Sequence, residues 1–174
     1  LAELQGLAGA GGGEAMLITD ACFTGAGRAG GTLLSDGRAW VPPEATAVGR
    51  SVQWDAAQAN QVAGPLDAVQ HGAFTYFAIG AMRGWADGQI SGIRDGEVTS
   101  EEAQLYVQEA LRAVGMRDQA PSLVSASAAA RTLASGAKEK APALGDLTAT
   151  SAAVAPGVVG DASGVGGAGL QAEL

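Results

Sequence analysis

The chain carries a single thiol, Cys22, and a single imidazole, His71. Cys22 lies in the segment ITDACFTGAG. A short apolar run (Ala15, Met16, Leu17, Ile18) leads into Thr19, Asp20, Ala21 and Cys22, and glycines follow at Gly25 and Gly27. This pattern reads as a buried strand that stops abruptly and presents a thiol at its C-terminal tip. In open α/β sheets that edge is where ligands and reacting groups collect. A lone cysteine there, flanked by a carboxylate and small residues, is a candidate nucleophile. A thiol attacks a carbonyl as the thiolate, and a free cysteine is mostly protonated at neutral pH. The chemistry therefore needs a histidine or another positive group nearby, and backbone donors aimed at the developing oxyanion. The glycines after Cys22 let backbone approach a substrate closely, but they supply no base. His71, next to Gly72, reads as a helix-start histidine that hydrogen-bonds locally and is poorly placed to serve Cys22. The chain by itself thus lacks half of a Cys–His dyad.

The elements that must position these residues alternate between strands and helices. Residues 15–20 form the first strand. Residues 24–45 are loop-like, with glycines, Asp36-Gly37 and Pro42-Pro43. A second strand is predicted over Ala47–Trp54, with Val48 and Val52 as apolar members. Phe74, Phe77, Ala78, Ala81 and Met82 then recur at helical spacing, and Gly84 ends the run. After a turn with Asp87-Gly88 and Asp95-Gly96, Thr99 and Glu102 form a capping box. Ala103, Val107, Ala110, Leu111 and Val114 give the next helix one apolar stripe, which Gly115 closes. Pro121 leads into a short strand at Ser122–Ala126. The alternation predicts an α/β fold, a mostly parallel sheet flanked by helices. Residues 1–13 read as a linker or the end of a preceding element, residues 14–136 as the domain, and residues 137–174 as an Ala/Gly/Ser-rich linker or tail with too few large apolar groups to offset ordering entropy.

Composition excludes several function classes. A formal net charge of −8 argues against nucleic-acid binding, which wants basic surface. One cysteine excludes an intrachain disulfide and any multi-cysteine metal site, and it fits a reducing, cytoplasmic setting. No apolar stretch approaches the ~18 residues that span a bilayer. The first residues lack the basic start and apolar run of a signal peptide. The chain begins with Leu1 rather than methionine, which predicts a fragment or a processed subunit. SGIRDGEVTSEE looks at first like a calcium loop. Its third position is Ile93, which cannot be a ligand, and Glu102 belongs to the capping box. The glycines at positions 6, 9 and 11–13 precede the first strand instead of following it, so they form no dinucleotide fingerprint. Neither a metal nor a cofactor is expected. Trp40, Trp54 and Trp85 read as core or rim packing, with Trp40 and Trp54 as alternatives for a cleft wall.

ITDACFTG resembles the nucleophile motif of caspase-like cysteine peptidases, in particular the bacterial metacaspase-like or orthocaspase branch, which commonly shows Asp-Ala-Cys-His-Ser-Gly. DAAQANQVA is similar to the strand and loop that shape the family's specificity pocket. HGAFTYFAIGAMRG is similar to its His-Gly-x-Phe-Thr-Tyr helix, EVTSEEAQLYVQEAL to the helix after it, and DQAPSLVSA to its Gln-Thr-Pro strand. The resemblance runs in order over about residues 14–135. Phe23 and Thr24 replace the common His-Ser pair.

The resemblance implies the C-terminal part of a caspase-like fold. The family's catalytic histidine lies in a Ser-Gly-His-Gly loop well before the cysteine, and this chain has no such loop. His71 matches a structural histidine. The implied base therefore sits on a His-bearing companion fragment of the same protein. The family's acidic pocket residues imply a peptide substrate with Arg or Lys at the cleavage site. Asp20 matches one acid; Ala59 or Asn60 stands near the second, and Asp55 is the residue that could compensate. Asp20 also reads as a strand-end carboxylate capping nearby N–H groups. Arg28, Arg38 and Arg50 are candidate self-processing sites, or else ordinary surface charge. The expected activity is cysteine endopeptidase action in regulated proteolysis. The alternatives are a catalytically inactive caspase-like interaction module and a cysteine acyltransferase.

Overall fold

The computed structural model describes residues 3, 6, 7, 10, 15–20, 51–58, 61, 63–125 and 130–149. Three strands form the sheet that bears the candidate site: β1 (Ala15–Thr19), β2 (Ser51–Asp55) and, later in the chain, β6 (Ser122–Ser125), in the order β1–β2–β6. β1 and β2 are parallel, from Ala15 opposite Ser51 to Thr19 opposite Asp55. β2 and β6 are antiparallel, from Val52 opposite Ser125 to Asp55 opposite Ser122. The chain is α/β, as the alternation predicts; among the described residues the pairing in this sheet is mixed, one parallel and one antiparallel pair, where a mostly parallel sheet is expected. Alternation signals that crossovers exist; it does not fix the direction in which a later strand re-enters the sheet.

Strand residues alternate between the two faces. Met16, Trp54 and Leu123 belong to the apolar side and join the core. Trp54 is completely buried and meets Phe74 edge-on, with ring centroids 5.3 Å apart. Such an aromatic pair contributes about 0.5–1.5 kcal/mol beyond its buried area. The Trp54 indole N–H donates to Gln104 Oε1 at 2.7 Å, so its one polar atom is satisfied. The cleft-wall alternative for Trp54 is therefore not what the structure shows.

Phe74 belongs to α1 (Ala73–Gly80), which buries Phe74 and Phe77 completely. A small ribbon precedes it, β3 (Pro65–Leu66) against β4 (His71–Gly72). The predicted run to Gly84 is present, but its last turn, Ala81–Trp85, widens to the π form. Gly84 sits there at φ 120°, and the backbone of residues 137–139 abuts it so closely that a Cβ would meet the Lys138 and Glu139 nitrogens at 2.9 Å. Only glycine combines that φ with that contact.

β5 (Glu97–Thr99) leads into α2 (Ser100–Ala113). The capping box at its start is formed: Glu102 N–H donates to Thr99 Oγ1 at 3.2 Å and Thr99 N–H to Glu102 Oε2 at 3.1 Å. Ala103, Tyr106, Val107, Ala110 and Leu111 are buried, so the stripe read from sequence is the core face, with Tyr106 added. Gly115, at φ 89°, follows the helix end. β7 (Thr132–Ser135), which the sequence reading does not anticipate, pairs antiparallel with β5.

From residue 137, where composition predicts a linker or tail, the described chain stays packed on the body as far as residue 149. Ala137 N–H donates to Gly96 O and Glu139 N–H to Arg83 O, both at 3.0 Å. Arg83 also pairs with the Glu139 carboxylate at 2.7 Å. Helix α3 (Leu144–Ala149) then buries Leu147 in the core. Two leucines and a few backbone bonds are enough to dock a segment that lacks aromatics.

Candidate functional site

Parallel pairing sends the C-terminal ends of β1 and β2 to the same edge of the sheet. The ladder is carried one step further by Ala56 N–H, which donates to Thr19 O at 2.8 Å. Asp20 follows β1 at this edge, and Asp55 is the last residue of β2. Parallel registration thus places Asp20 and Asp55 at one edge of the sheet, one register position apart, although the sequence separates them by the whole loop-like region.

Their environments differ. Asp20 is exposed. Its Oδ2 accepts from the Thr75 backbone N–H at 3.2 Å and from the Thr75 hydroxyl. Thr75 is the third residue of α1, whose N-cap, Gly72, offers no side-chain cap of its own. Asp20 therefore caps α1 from the end of β1, 55 residues away. Orphan N–H groups and a partial positive charge at a helix start favour a carboxylate there. A Cβ on residue 72 would run into Asp20 Oδ2, so the close approach requires glycine. This is the capping role that the sequence offers as the plainer reading of Asp20. Both bonds fall on one oxygen, and Oδ1 has no partner among the described residues.

Asp55 is buried at 7% exposure. Its Oδ2 accepts from Gln53 Nε2 at 2.8 Å, while Oδ1 has no hydrogen-bond partner among the described residues. Burial pushes the carboxyl above its ordinary value of 3.8; the Gln53 amide and the Thr19 hydroxyl pull it back.

The loop leaving Asp55 is held by side-chain amides that the sequence reading did not single out. Gln119, 5% exposed, donates through Nε2 to Ala56 O at 3.1 Å and accepts from Gly64 N–H at 3.0 Å. Gln61 Oε1 accepts from the Gln58 N–H at 3.1 Å and the Ala120 N–H at 2.9 Å. One glutamine thus closes both ends of the turn that follows β2. No local signal marks such a residue; the Gln within DQAPSLVSA is visible only as part of a motif.

His71 is exposed in β4, opposite Leu66 and immediately before the N-cap of α1. That is the helix-start position expected of it. Cys22, the candidate nucleophile, lies outside the described residues, as do Arg28, Arg38, Arg50, Ala59, Asn60 and Trp40. Trp85 stacks edge-on against Tyr76 at 5.3 Å and lies 6.4 Å from Tyr106, at the end of the helical run.

Glu102, the last acid of the loop weighed for calcium, is fully engaged: Oε1 accepts from Gly88 N–H at 3.2 Å and Oε2 from Thr99. Just before that loop, Asp87 accepts from the N–H groups of Asp95 and Gly96, both at 3.1 Å. A cavity of about 300 Å³ there, lined by Asp87, Arg94 and Lys138 among others, shares no residue with the sheet edge. Among the described residues no group of three or more His, Cys, Asp or Glu is placed to hold a metal ion, and no helix is long and apolar enough to cross a membrane.

No protein-family model, curated protein or solved structure matches the chain.

Proposed function

We propose that the chain is the nucleophile-bearing part of a caspase-like cysteine endopeptidase that cuts peptide bonds after Arg or Lys. The observation that carries this reading is the placement of Asp20 and Asp55 at the C-terminal edge of a parallel strand pair, with Asp20 two residues before the chain's one thiol. Edges of this kind gather reacting groups, and carboxylates with unused oxygens suit a cationic side chain. The ordered motifs over residues 14–135 support the same reading.

In this mechanism a histidine on a companion fragment of the same protein takes the proton of Cys22. The thiolate adds to the scissile carbonyl carbon, and the Cys22 backbone N–H with a glycine N–H of the companion stabilises the oxyanion. Collapse breaks the C–N bond as the imidazolium protonates the leaving amine, and a thioester remains. Water then adds, its proton passes to the imidazole, and loss of the thiolate frees the carboxylic acid and restores the enzyme. Asp20 and Asp55 hold the guanidinium or ammonium group of the substrate. Arg28, Arg38 and Arg50 are sites where the enzyme cuts itself.

The test is turnover of a peptidyl-arginine substrate by the full-length protein and by Cys22→Ala. Loss of all cleavage with an unchanged melting temperature is expected. Cleavage by the alanine variant overturns the assignment. A folded wild-type protein that binds basic peptides without turning them over favours the inactive interaction module.

A further inference from the structure

We infer that Thr75 is a positioning residue that sets the discrimination for basic substrates by fixing the Asp20 carboxylate. This rests on the peptidase reading above and goes beyond it, since it gives Thr75 a role exerted through Asp20.

Three features of the structure converge on this pair. Thr75 supplies two donors, its N–H and its hydroxyl, to the same Asp20 oxygen. Asp20 is otherwise an exposed side chain at a strand end, free to rotate about two bonds. Two donors from one rigid residue hold it in a single orientation through Oδ2 and leave Oδ1 without a partner among the described residues. The support behind Thr75 is firm, because its neighbour Phe74 and, one turn on, Phe77 are completely buried. Finally, residue 72 is glycine where any side chain would displace Oδ2, and Gly72 holds φ −59° and ψ 132°, which other residues also adopt. Glycine is therefore needed at that place for room, not for backbone conformation. A helix start that gives up its own side-chain cap and is built around a distant carboxylate keeps that carboxylate in register with what it faces.

A carboxylate that binds a cation gains most when its orientation is set beforehand, since ordering a free side chain costs about 0.5–1.5 kcal/mol at the moment of binding. One locked oxygen and one open oxygen also give a directional acceptor rather than a diffuse charge.

The experiment compares full-length wild type, Thr75→Val, Thr75→Ser and Gly72→Ala on two peptides that differ only in arginine or norleucine before the scissile bond. Valine keeps the shape and the backbone donor but lacks the hydroxyl; serine keeps both donors. The ratio of kcat/KM values, arginine over norleucine, is expected to fall about tenfold in Thr75→Val and Gly72→Ala, mainly through KM for the arginine peptide. Thr75→Ser is expected to return it to within about twofold of wild type. Alkylation of Cys22 by iodoacetamide, followed in parallel, is expected to stay within about twofold throughout. An unchanged ratio in Thr75→Val, with wild type active, overturns the role of Thr75 and leaves the peptidase reading standing. Equal loss on both peptides makes Thr75 merely structural and also overturns it. Wild type that alkylates normally but cleaves neither peptide overturns the peptidase reading, and this inference with it.

Discussion

Replacing Gln119 with methionine tests how the turn beside Asp55 is held. Methionine has nearly the length and volume of glutamine, so the packing changes little. What changes is that Ala56 O and Gly64 N–H lose their partner. An orphaned buried backbone group costs about 1–3 kcal/mol. Ala56 O faces a buried bond and bears that cost in full; Gly64 N–H is part-buried and recovers some of it from water. Burying a thioether in place of an amide returns about 1 kcal/mol. The net loss is about 2 kcal/mol. For a domain of this size each kcal/mol moves the melting temperature by roughly 2–4 °C, so Gln119→Met is expected to melt about 4–8 °C lower. The same variant is expected to expose residues 56–64 to limited proteolysis before any global unfolding, because only that turn loses its tie. A melting temperature within about 1 °C of wild type, with an unchanged cleavage pattern, would show that Gln119 does not brace the site.

Other outcomes are equally specific. Tyr106→Phe removes a buried hydroxyl that has no hydrogen-bond partner among the described residues, so denaturant unfolding is expected to show equal stability or a gain of up to about 1 kcal/mol. Thr99→Ala removes the reciprocal cap of α2 and is expected to cost about 0.5–2 kcal/mol in the same assay. Because burial raises the Asp55 carboxyl above 3.8, the folded state holds its proton more tightly than the unfolded chain. That contribution is fully present below the ordinary value and is lost as pH rises through the raised one. Asp55→Asn is therefore expected to gain stability relative to wild type as pH climbs out of the carboxylate range, and a constant difference across that range would refute it. If Arg28, Arg38 or Arg50 is cut by the enzyme, intact-mass analysis of the full-length protein is expected to show termini after those residues, and Cys22→Ala is expected to abolish them.

Much of the frame was legible in the sequence because it depends on local rules. The Thr99–Glu102 box, the stripe of α2, the first strand and the break at Pro121 each follow from neighbours within one or two turns. The π turn at Ala81–Trp85 was not legible, because it reflects the close passage of residues 137–139 over Gly84. β7 escaped notice because Thr, Leu, Ala and Ser carry little strand signal, and its partner β5 decides the matter. At the site, Asp20 and Asp55 were visible as candidates, but their placement at one sheet edge depends on parallel registration across the intervening loop. Thr75 and Gln119 act through bonds that span 55 and 63 residues, and nothing in the local sequence announces a partner that far away.

The reach of the Asp20–Thr75 bond also has a consequence in time. Chains leave the ribosome at roughly 5–20 residues per second, and the two residues are 55 apart. Cys22 is thus synthesised roughly three to eleven seconds before the helix that seats its acidic neighbour exists. Through that interval Asp20 lacks both donors that seat it, so on the peptidase reading it is the last of the two acids that select a basic side chain to be set in place.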